Sequence, residues 1–284
     1  MKKLFVGVLC VALSLSVQGK EVNMTSPDGK YQFTLSDSGG QLHYSLTWNG
    51  KQTVKPSLLG INANVEWRDG LEIGTVDSSR KDTIWHPVYG ERSEIKDCYH
   101  AWKIVVNRQN GRDKLIFDVR AYDEGIAFRY HFPGGQYLKI TDEYTEYTMP
   151  EGTKAYFTLK AQTPYSYLPL ENWPGESDRP LLLALADGGY VCLAEAQVVD
   201  YVRTKFNVSP TKKNTVISAM YGPVEDIAPY STPWRVIMCA DKPGEILEHN
   251  DILLNLNPPC RIKDTSWIKP GKVFRSGDLK QGDA

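Results

Sequence analysis

Adjacent carboxylates are the first residues of this chain that could do chemistry. Asp123 and Glu124 lie between two apolar segments, "KLIFDVRAY" and "IAFRYHF", and are followed by Gly125. Two neighbouring acids could serve as a catalytic pair. Both flanking segments have strand character, however, and a glycine after two polar residues is typical of a hairpin turn. We therefore predict a turn here, not a catalytic pair.

Glu195 has a different setting, inside the strand-like segment "YVCLAEAQ". Alternation along a strand places it on the same face as Val191 and Leu193, and Ala194 and Ala196 leave room for another group to approach. A carboxylate on an apolar face is costly unless it is paired, protonated or bound to a cation. The residues leave three possibilities open: an ion pair with an arginine, exposure at the strand end, or ligation of a metal.

The longest loop-like segment is "QTPYSYLPLENWPGESDRP", from Gln162 to Pro180. It combines aromatic rings with acids, a mixture suited to binding sugars by stacking and hydrogen bonding. We predict four candidates for the rim of a substrate site: Tyr165, Tyr167, Glu171 and Trp173. The alternative is an ordered surface loop whose rings point inward.

The elements that must position these residues are strands. Segments rich in β-branched and aromatic residues alternate with turn dipeptides such as Asn49-Gly50 and Asp69-Gly70, which predicts an all-β fold, a large antiparallel β-sandwich. One helix is predicted near Gly244 to Leu254, with Asp241 as its cap. Arg129 and Arg235 lie in apolar strands and are predicted to pair with carboxylates or carbonyl groups.

The N-terminal segment, the charge balance and the histidine spacing limit the class of protein. Residues 1–19 have two lysines before an apolar segment, the pattern of a secretory signal peptide, so we expect an exported, periplasmic protein without a membrane anchor. The 33 basic and 34 acidic residues give a net charge of -1, which argues against a nucleic-acid partner. The five histidines are scattered and lack the spacing of zinc ligands.

Four stretches, in order, resemble the N-terminal domain of glycoside hydrolase family 97: "AYDEGIAFRY", "CLAEA", "TPWRVIM" and "SWIKPGK". Family members are exported bacterial α-glucosidases or α-galactosidases. The resemblance implies a β-super-sandwich of the galactose mutarotase type at residues 20–264. It also implies that residues 265–284 begin the linker to a catalytic (β/α)8 barrel. Such a barrel needs about 250 residues, so we expect it to be missing from this chain.

The resemblance also implies where the chemistry lies. Glycosidases use two carboxyl groups, and in this family both belong to the barrel, so no catalytic residue is predicted here. Glu195 matches the N-terminal-domain glutamate that ligates calcium in the complete enzyme. Calcium takes about six to eight oxygen ligands, so we expect no tight binding to this chain alone.

The predicted function is therefore a supporting, sugar-binding domain of an α-glycosidase, inactive by itself. Its expected partners are an α-linked oligosaccharide and the barrel, in the same chain or a separate one; Trp267 and Lys269 are expected to be exposed without the barrel. A free-standing carbohydrate-binding module is the main alternative. A sugar mutarotase is a remote one, because it rests on fold analogy alone.

Overall fold

Strands dominate the computed structural model, which describes residues 19–109 and 111–273. Within these ranges the first strands in chain order are β1 (Glu21–Thr25), β2 (Tyr31–Ser36), β3 (His43–Trp48), β4 (Lys51–Leu58), β5 (Ile61–Ala63), β6 (Val65–Trp67), β7 (Leu71–Trp85), β8 (Ile95–Arg108), β9 (Lys114–Tyr122), β10 (Gly125–Phe132) and β11 (Tyr137–Glu143). They are followed by β12 (Glu146–Thr148), β13 (Lys154–Phe157), β14 (Ser166–Pro169), β15 (Leu181–Ala184), β16 (Tyr190–Ala196), β17 (Thr204–Val208), β18 (Thr215–Met220), β19 (Val224–Ile227), β20 (Tyr230–Ser231) and β21 (Trp234–Ala240). Two short helices come last, α1 (Glu245–Glu248) and α2 (Asp251–Asn255).

The strands form three sheets. A seven-stranded sheet has the order β1-β2-β3-β4-β12-β18-β17, and a ten-stranded sheet has the order β14-β13-β15-β16-β21-β10-β9-β8-β7, with β20 beside β10. A four-stranded sheet, β19-β11-β5-β6, completes the fold. The strand pairs of the two larger sheets are antiparallel, as in β16 with β21 and β17 with β18. The predicted all-β sandwich with very few helices is confirmed.

Aromatic rings join the two larger sheets across the main core. Phe128 on β10 lies 5.9 Å from Phe33 and 5.4 Å from Tyr44, ring centre to ring centre, and both partners belong to the opposite sheet. All three rings are fully or almost fully buried. Burial of large aromatic surfaces is the dominant favourable term in folding, and tilted pairs such as these add to it. The inner face of β10 therefore fixes the spacing of the sandwich.

The outer face of the ten-stranded sheet carries a second, smaller apolar cluster. Trp234, Val236 and Met238 of β21 pack there with Ile252 of α2 and with Leu256, the residue after α2. One face of β21 packs on the main core and the other on this outer cluster, so every residue of "WRVIMCA" is buried. Trp234 itself is only 2% exposed.

The helix prediction needs a correction. The single helix expected near Gly244 to Leu254 is divided, because His249 and Asn250 leave helical backbone angles. Arg92 explains the break: it donates to the Glu248 carbonyl group and to the Asp251 carboxylate, at the end of α1 and the start of α2. Asp241 does not cap α1; instead its own N–H donates to the side chain of Glu245.

Other expectations have mixed outcomes. Asp123 and Glu124 form the predicted turn, since Tyr122 pairs with Gly125. A Cβ at Gly125 would lie 2.6 Å from the Ile237 carbonyl oxygen, so the close approach of β21 requires glycine there. The segment 162–180 is not wholly loop: it contains β14 and a 3-10 turn at Leu170–Asn172.

The predicted domain limits stay predictions. Residues 1–18, most of the predicted signal peptide, and residues 274–284 of the predicted linker lie outside the described residues. Between residues 19 and 273, none of the described helices has the length and hydrophobicity needed to cross a bilayer.

Candidate functional site

Four charged side chains lie together around strands β16 and β21, and we call Glu143, Arg179, Glu195 and Arg235 the charged cluster. Glu195 on β16 lies directly opposite Arg235 on β21, the neighbouring strand. Arg235 Nη1 donates to Glu195 Oε2 at 2.7 Å. Val191 and Leu193 belong to the main core, so Glu195 does lie on the apolar face that alternation predicts. The sequence thus predicted the face, and the structure adds the arginine that makes burial tolerable.

Arg235 is the centre of the cluster. Its Nε and Nη2 donate to the two carboxylate oxygens of Glu143, and the pair is almost sealed from solvent, with side-chain exposures of 1% and 0%. The Glu143 carboxylate also accepts hydrogen bonds from Thr145 Oγ1 and from the Tyr201 hydroxyl group. A buried ion pair is tolerated only when such extra donors satisfy its remaining lone pairs. Arg235 is therefore a structural arginine, as predicted.

The pKa values in the cluster follow from this geometry. Burial acts to raise the pKa of Glu143, but the Arg235 guanidinium and the Thr145 hydroxyl outweigh it and keep that pKa below its ordinary value. Burial acts to lower the pKa of Arg235, but the Glu143 carboxylate raises it well above its ordinary value. Both groups are consequently charged across the physiological range.

Arg179 is the less satisfied arginine. Its guanidinium lies 3.9 Å from the centre of the Phe206 ring, and its Nη2 donates to Ser218 Oγ at 3.0 Å. Its Nε is 3.5 Å from Glu195 Oε2, within ion-pair distance, but Nε and Nη1 make no hydrogen bond within the described part of the chain. Burial, together with the positive charge of Arg235, lowers the pKa of Arg179.

The two oxygens of Glu195 are used differently. Oε2 accepts from Arg235 and from Thr204 Oγ1 and faces Arg179. Among the described residues, no hydrogen bond uses Oε1. The side chain is 20% exposed. The carboxylate is thus anchored by one oxygen while the other is available to a ligand.

A groove beside α1 includes Glu195 among its lining residues. The groove consists of two adjoining depressions of about 310 and 430 Å3 that share Pro180, Cys192, Ile246 and Leu247. Arg179, Glu195 and Asn250 line the first depression, and Tyr156 and Tyr165 line the second. A mostly apolar groove with a few polar groups at one end has the form of a small-molecule site.

The predicted rim residues do not all reach this groove. Tyr165 lines it and is 67% exposed; Tyr167 stacks on the groove residue Tyr156 with ring centres 4.3 Å apart. Trp173 instead packs against the main core, 5.5 Å from the Phe157 ring. Glu171 lines a separate polar depression with Lys212. The structure places Tyr165 in the groove and Tyr167 against a groove residue, and it places Glu171 and Trp173 elsewhere.

Sequence reasoning missed Glu143 and Arg179. Glu143 lies 92 positions from Arg235 along the chain. Arg179 lies in the loop-like segment, where a charged side chain is expected to be exposed to solvent. A signal existed for Arg179: it precedes Pro180 and follows three acids of the predicted loop, so an arginine among carboxylates could have been tested as a partner of Glu195.

The cluster cannot supply a full metal site by itself. Within residues 19–109 and 111–273, no group of three or more His, Cys, Asp or Glu side chains is placed to hold a metal ion. The charges of the two arginines and two glutamates cancel, so a cation at Glu195 Oε1 would need further carboxylates from elsewhere. The residues fit one oxygen ligand of a calcium ion, which takes about six to eight.

Comparisons with known proteins agree on one family. The profile described as "Glycosyl-hydrolase 97 N-terminal" matches residues 24–259. A retaining alpha-galactosidase of Bacteroides thetaiotaomicron is 26% identical over 96% of this chain, but only 46% of that protein is covered. The chain therefore spans less than half the length of this relative.

Solved structures give the same result. A glycoside hydrolase family 97 enzyme of Pseudoalteromonas sp. strain K8, in complex with panose, superposes with a TM-score of 0.82 at 25% identity; the match covers 88% of this chain and 40% of that one. A beta-arabinopyranosidase superposes with a TM-score of 0.71 at 20% identity over 78% of this chain, a likeness of fold alone.

Proposed function

The chain belongs to the glycosyl-hydrolase 97 N-terminal family, and on that premise we propose that it is the supporting, sugar-binding domain of an α-glycosidase. In this proposal it completes the site of a catalytic (β/α)8 domain, in the same chain or a separate one. The substrate is an α-linked oligosaccharide, an α-galactoside or an α-glucoside. The relatives' own names, an alpha-galactosidase and an enzyme bound to panose, support this substrate class.

One observation carries the proposal: the unequal use of the two oxygens of Glu195. Arg235 fixes Oε2 at 2.7 Å and is itself fixed by the buried Glu143. The side chain is therefore restrained, while Oε1 accepts no hydrogen bond from the described residues and the side chain remains 20% exposed. A carboxylate that served only to neutralise Arg235 would not need this exposed second oxygen. Such preorganisation is what a ligand-binding carboxylate requires.

We propose that Oε1 is one ligand of a calcium ion whose other ligands come from the catalytic domain. A bound calcium ion would stabilise negative charge and orient groups at the junction of the two domains. This chain's part is to hold one oxygen in place: Thr204 and Arg235 orient the carboxylate, and Arg179 supplies positive charge near Oε2.

The groove residues Tyr165 and Tyr156 would then contact the sugar units next to the cleaved bond. Tyrosine faces bind the apolar faces of pyranose rings, and their hydroxyl groups can reach sugar hydroxyls. The exposed Leu247 and Tyr165 lie at the same groove and would be covered by the catalytic domain. Exposed apolar patches of this kind mark a partner or a ligand. The signal-peptide pattern places this assembly, in the proposal, in the periplasm.

A chimeric enzyme tests the proposal. Residues 20–264 of this chain would replace the matching N-terminal part of the Bacteroides relative, and hydrolysis of an aryl α-galactoside would be followed against calcium concentration. We expect calcium-dependent activity. Glu195→Gln should raise the calcium concentration needed for half-maximal activity by about tenfold or more, the loss expected for one charged ligand contact.

The matched control is Glu171→Gln, which removes a carboxylate from the same domain but away from the groove. It should leave the calcium dependence unchanged. Circular dichroism would verify that each chimera is folded. A folded chimera whose calcium dependence is the same with Glu195 and with Gln at that position contradicts the proposal.

A free-standing carbohydrate-binding module remains the second candidate, because Tyr165 and Tyr167 are exposed beside a groove of useful size. The two functions differ in what the isolated chain does. A module binds α-linked oligosaccharides alone, and Tyr165→Ala abolishes that binding. The supporting domain gains measurable affinity only with its catalytic partner.

A further inference from the structure

A second cleft lies on the outer face of the ten-stranded sheet and shares no lining residue with the groove. Its volume is about 350 Å3, enough for one sugar ring with its substituents. We call it the arginine cleft, after Arg120 and Arg129, two of its lining residues. The other lining residues on which the argument depends are Asp77, Tyr99, Ala101, Lys103, Asp118 and Trp234.

Arg120 has a fixed orientation without a charged partner. Its guanidinium lies 4.7 Å from the centre of the Tyr99 ring and 4.9 Å from that of the Trp234 ring. No carboxylate of the described residues forms an ion pair with it. Aromatic contacts restrict an arginine through its flat faces, and the N–H edge of a guanidinium matches a planar carboxylate bidentately.

Asp118 provides the complementary unused acceptor. Its Oδ2 accepts from Arg129 Nε at 3.1 Å, while Oδ1 is buried and has no hydrogen-bond partner in the described part of the chain. The residue is only 7% exposed. A buried carboxylate oxygen without a donor is costly, and the expected remedy is a ligand hydroxyl or water that donates to it.

Arg129 also lines the cleft. Its guanidinium lies 4.2 Å from the centre of the Trp234 ring, and its Nη1 donates to Gln197 Oε1. Asp118 and Arg129 are direct cross-strand neighbours, as are Asp118 and Lys103. Donor and acceptor groups therefore alternate across three adjacent strands.

The charges define the ligand. Asp118 neutralises Arg129, and Asp77 stands opposite Lys103 on the adjacent strand, so Arg120 is left as the excess positive charge. A matching ligand carries one carboxylate for Arg120 and at least one hydroxyl group for Asp118 Oδ1. It must also fit a volume of about 350 Å3.

We propose that the arginine cleft binds a sugar acid of hexuronate size, with its carboxylate on Arg120 and a ring hydroxyl donating to Asp118. This is a different ligand class from the neutral oligosaccharide assigned to the groove. The proposal does not depend on that assignment, because the two sites use different residues. The chain would thereby recognise acidic glycans at a position away from Glu195.

Titration calorimetry of the chain with glucuronate and galacturonate tests the proposal. Glucose and galactose are the probes without a carboxylate, and acetate is the probe without hydroxyl groups. We expect at least one hexuronate to bind about tenfold or more tightly than both its neutral counterpart and acetate, the contribution of one bidentate charged contact. Equal binding of the neutral sugar, equal binding of acetate, or no binding of either hexuronate overturns the proposal.

Two variants identify the site. Arg120→Gln removes the carboxylate partner and should weaken hexuronate binding about tenfold or more. Ala101→Leu removes no charge but adds bulk at a residue that lines the cleft, and should also prevent binding; it covers the case in which Arg120→Gln does not fold. If the hexuronate still binds to a folded Ala101→Leu chain, or if Glu195→Gln is the change that removes binding, the ligand occupies another place and the proposal fails.

Discussion

Arg235 and Glu143 form a bidentate ion pair between the ten-stranded sheet and the four-stranded sheet, and both side chains are almost fully buried. The pair fixes Arg235, which in turn fixes one oxygen of Glu195. Replacing a single member leaves a buried charge uncompensated, which costs more than the pair itself contributes. The geometry of the candidate site is therefore tied to the stability of the fold.

Glu143→Gln should lower the free energy of unfolding at neutral pH by about 3–5 kcal/mol. Urea denaturation followed by circular dichroism measures it. The matched control is Glu225→Gln, which removes the exposed partner of Lys139 on the same small sheet and should change stability little. A Glu143→Gln chain as stable as the Glu225→Gln chain contradicts the assigned role.

The same pair predicts a pH dependence. The pKa of Glu143 is lower in the folded chain than its ordinary value of 4.5, so the unfolded chain binds a proton first as pH falls. Its stabilisation is thus present above pH 4.5 and is lost as pH falls through the folded pKa. The stability difference between wild type and Glu143→Gln should shrink over that acidic range; a difference that stays constant there excludes an ionised Glu143.

Phe128→Ala should destabilise the sandwich by about 3–5 kcal/mol, because it removes the ring that contacts both Phe33 and Tyr44 across the sheets. Thermal unfolding measured by calorimetry provides the test. Tyr137→Ala serves as the comparison, since that aromatic residue is 53% exposed. Equal melting temperatures for the two variants would place the centre of the core elsewhere.

The free cysteines should react with a thiol reagent at three distinct rates. Cys260 is exposed and should react first, and Cys98, whose pKa is raised by partial burial and by Asp82, should react more slowly. Burial raises the pKa of both Cys192 and Cys239 to about 12, so these two should react only after unfolding. Spectrophotometric counting on the chain without residues 1–19 decides; four fast thiols in the native state would contradict the burial of Cys192 in the outer cluster and of Cys239 in the main core.

Backbone amides after Trp267 should exchange rapidly with solvent. Trp267 is 67% exposed and Val273 is 88% exposed, and Ile268 makes only a local hydrogen bond to Thr265. Hydrogen exchange would compare residues 269–273 with β9. Protection as strong as that of β9 would mean that this segment packs on the domain itself, and the exposed surface proposed for a catalytic partner would be lost.

Strand alternation predicted the face of Glu195 but could not predict the position of Glu143. Along β11, Leu138 and Ile140 point inward, so simple alternation would place Asp142 inward next. Asp142 is in fact exposed and Glu143 is buried. The register of β11 with β5 shifts between Ile140 and Asp142, and this bulge turns Glu143 inward instead. A bulge depends on the partner strand, so a single sequence does not disclose it.

The aromatic residues of the candidate groove were also only partly predictable from the sequence. The sequence indicated aromatic residues in the segment 162–180, but their directions depend on contacts with distant strands. Tyr167 stacks on Tyr156 of β13, whereas Trp173 packs on Phe157, the next residue along that strand. Adjacent strand positions face opposite sides, so two rings from one segment end in different surroundings.

A crystal structure of the chimeric enzyme with bound calcium tests the central claim most directly. The account predicts that Glu195 Oε1 lies about 2.3–2.6 Å from the ion, the distance of a calcium–oxygen bond, while Oε2 remains hydrogen bonded to Arg235. A calcium ion held only by residues of the catalytic domain, with Glu195 bound to the arginines and remote from the ion, would contradict it.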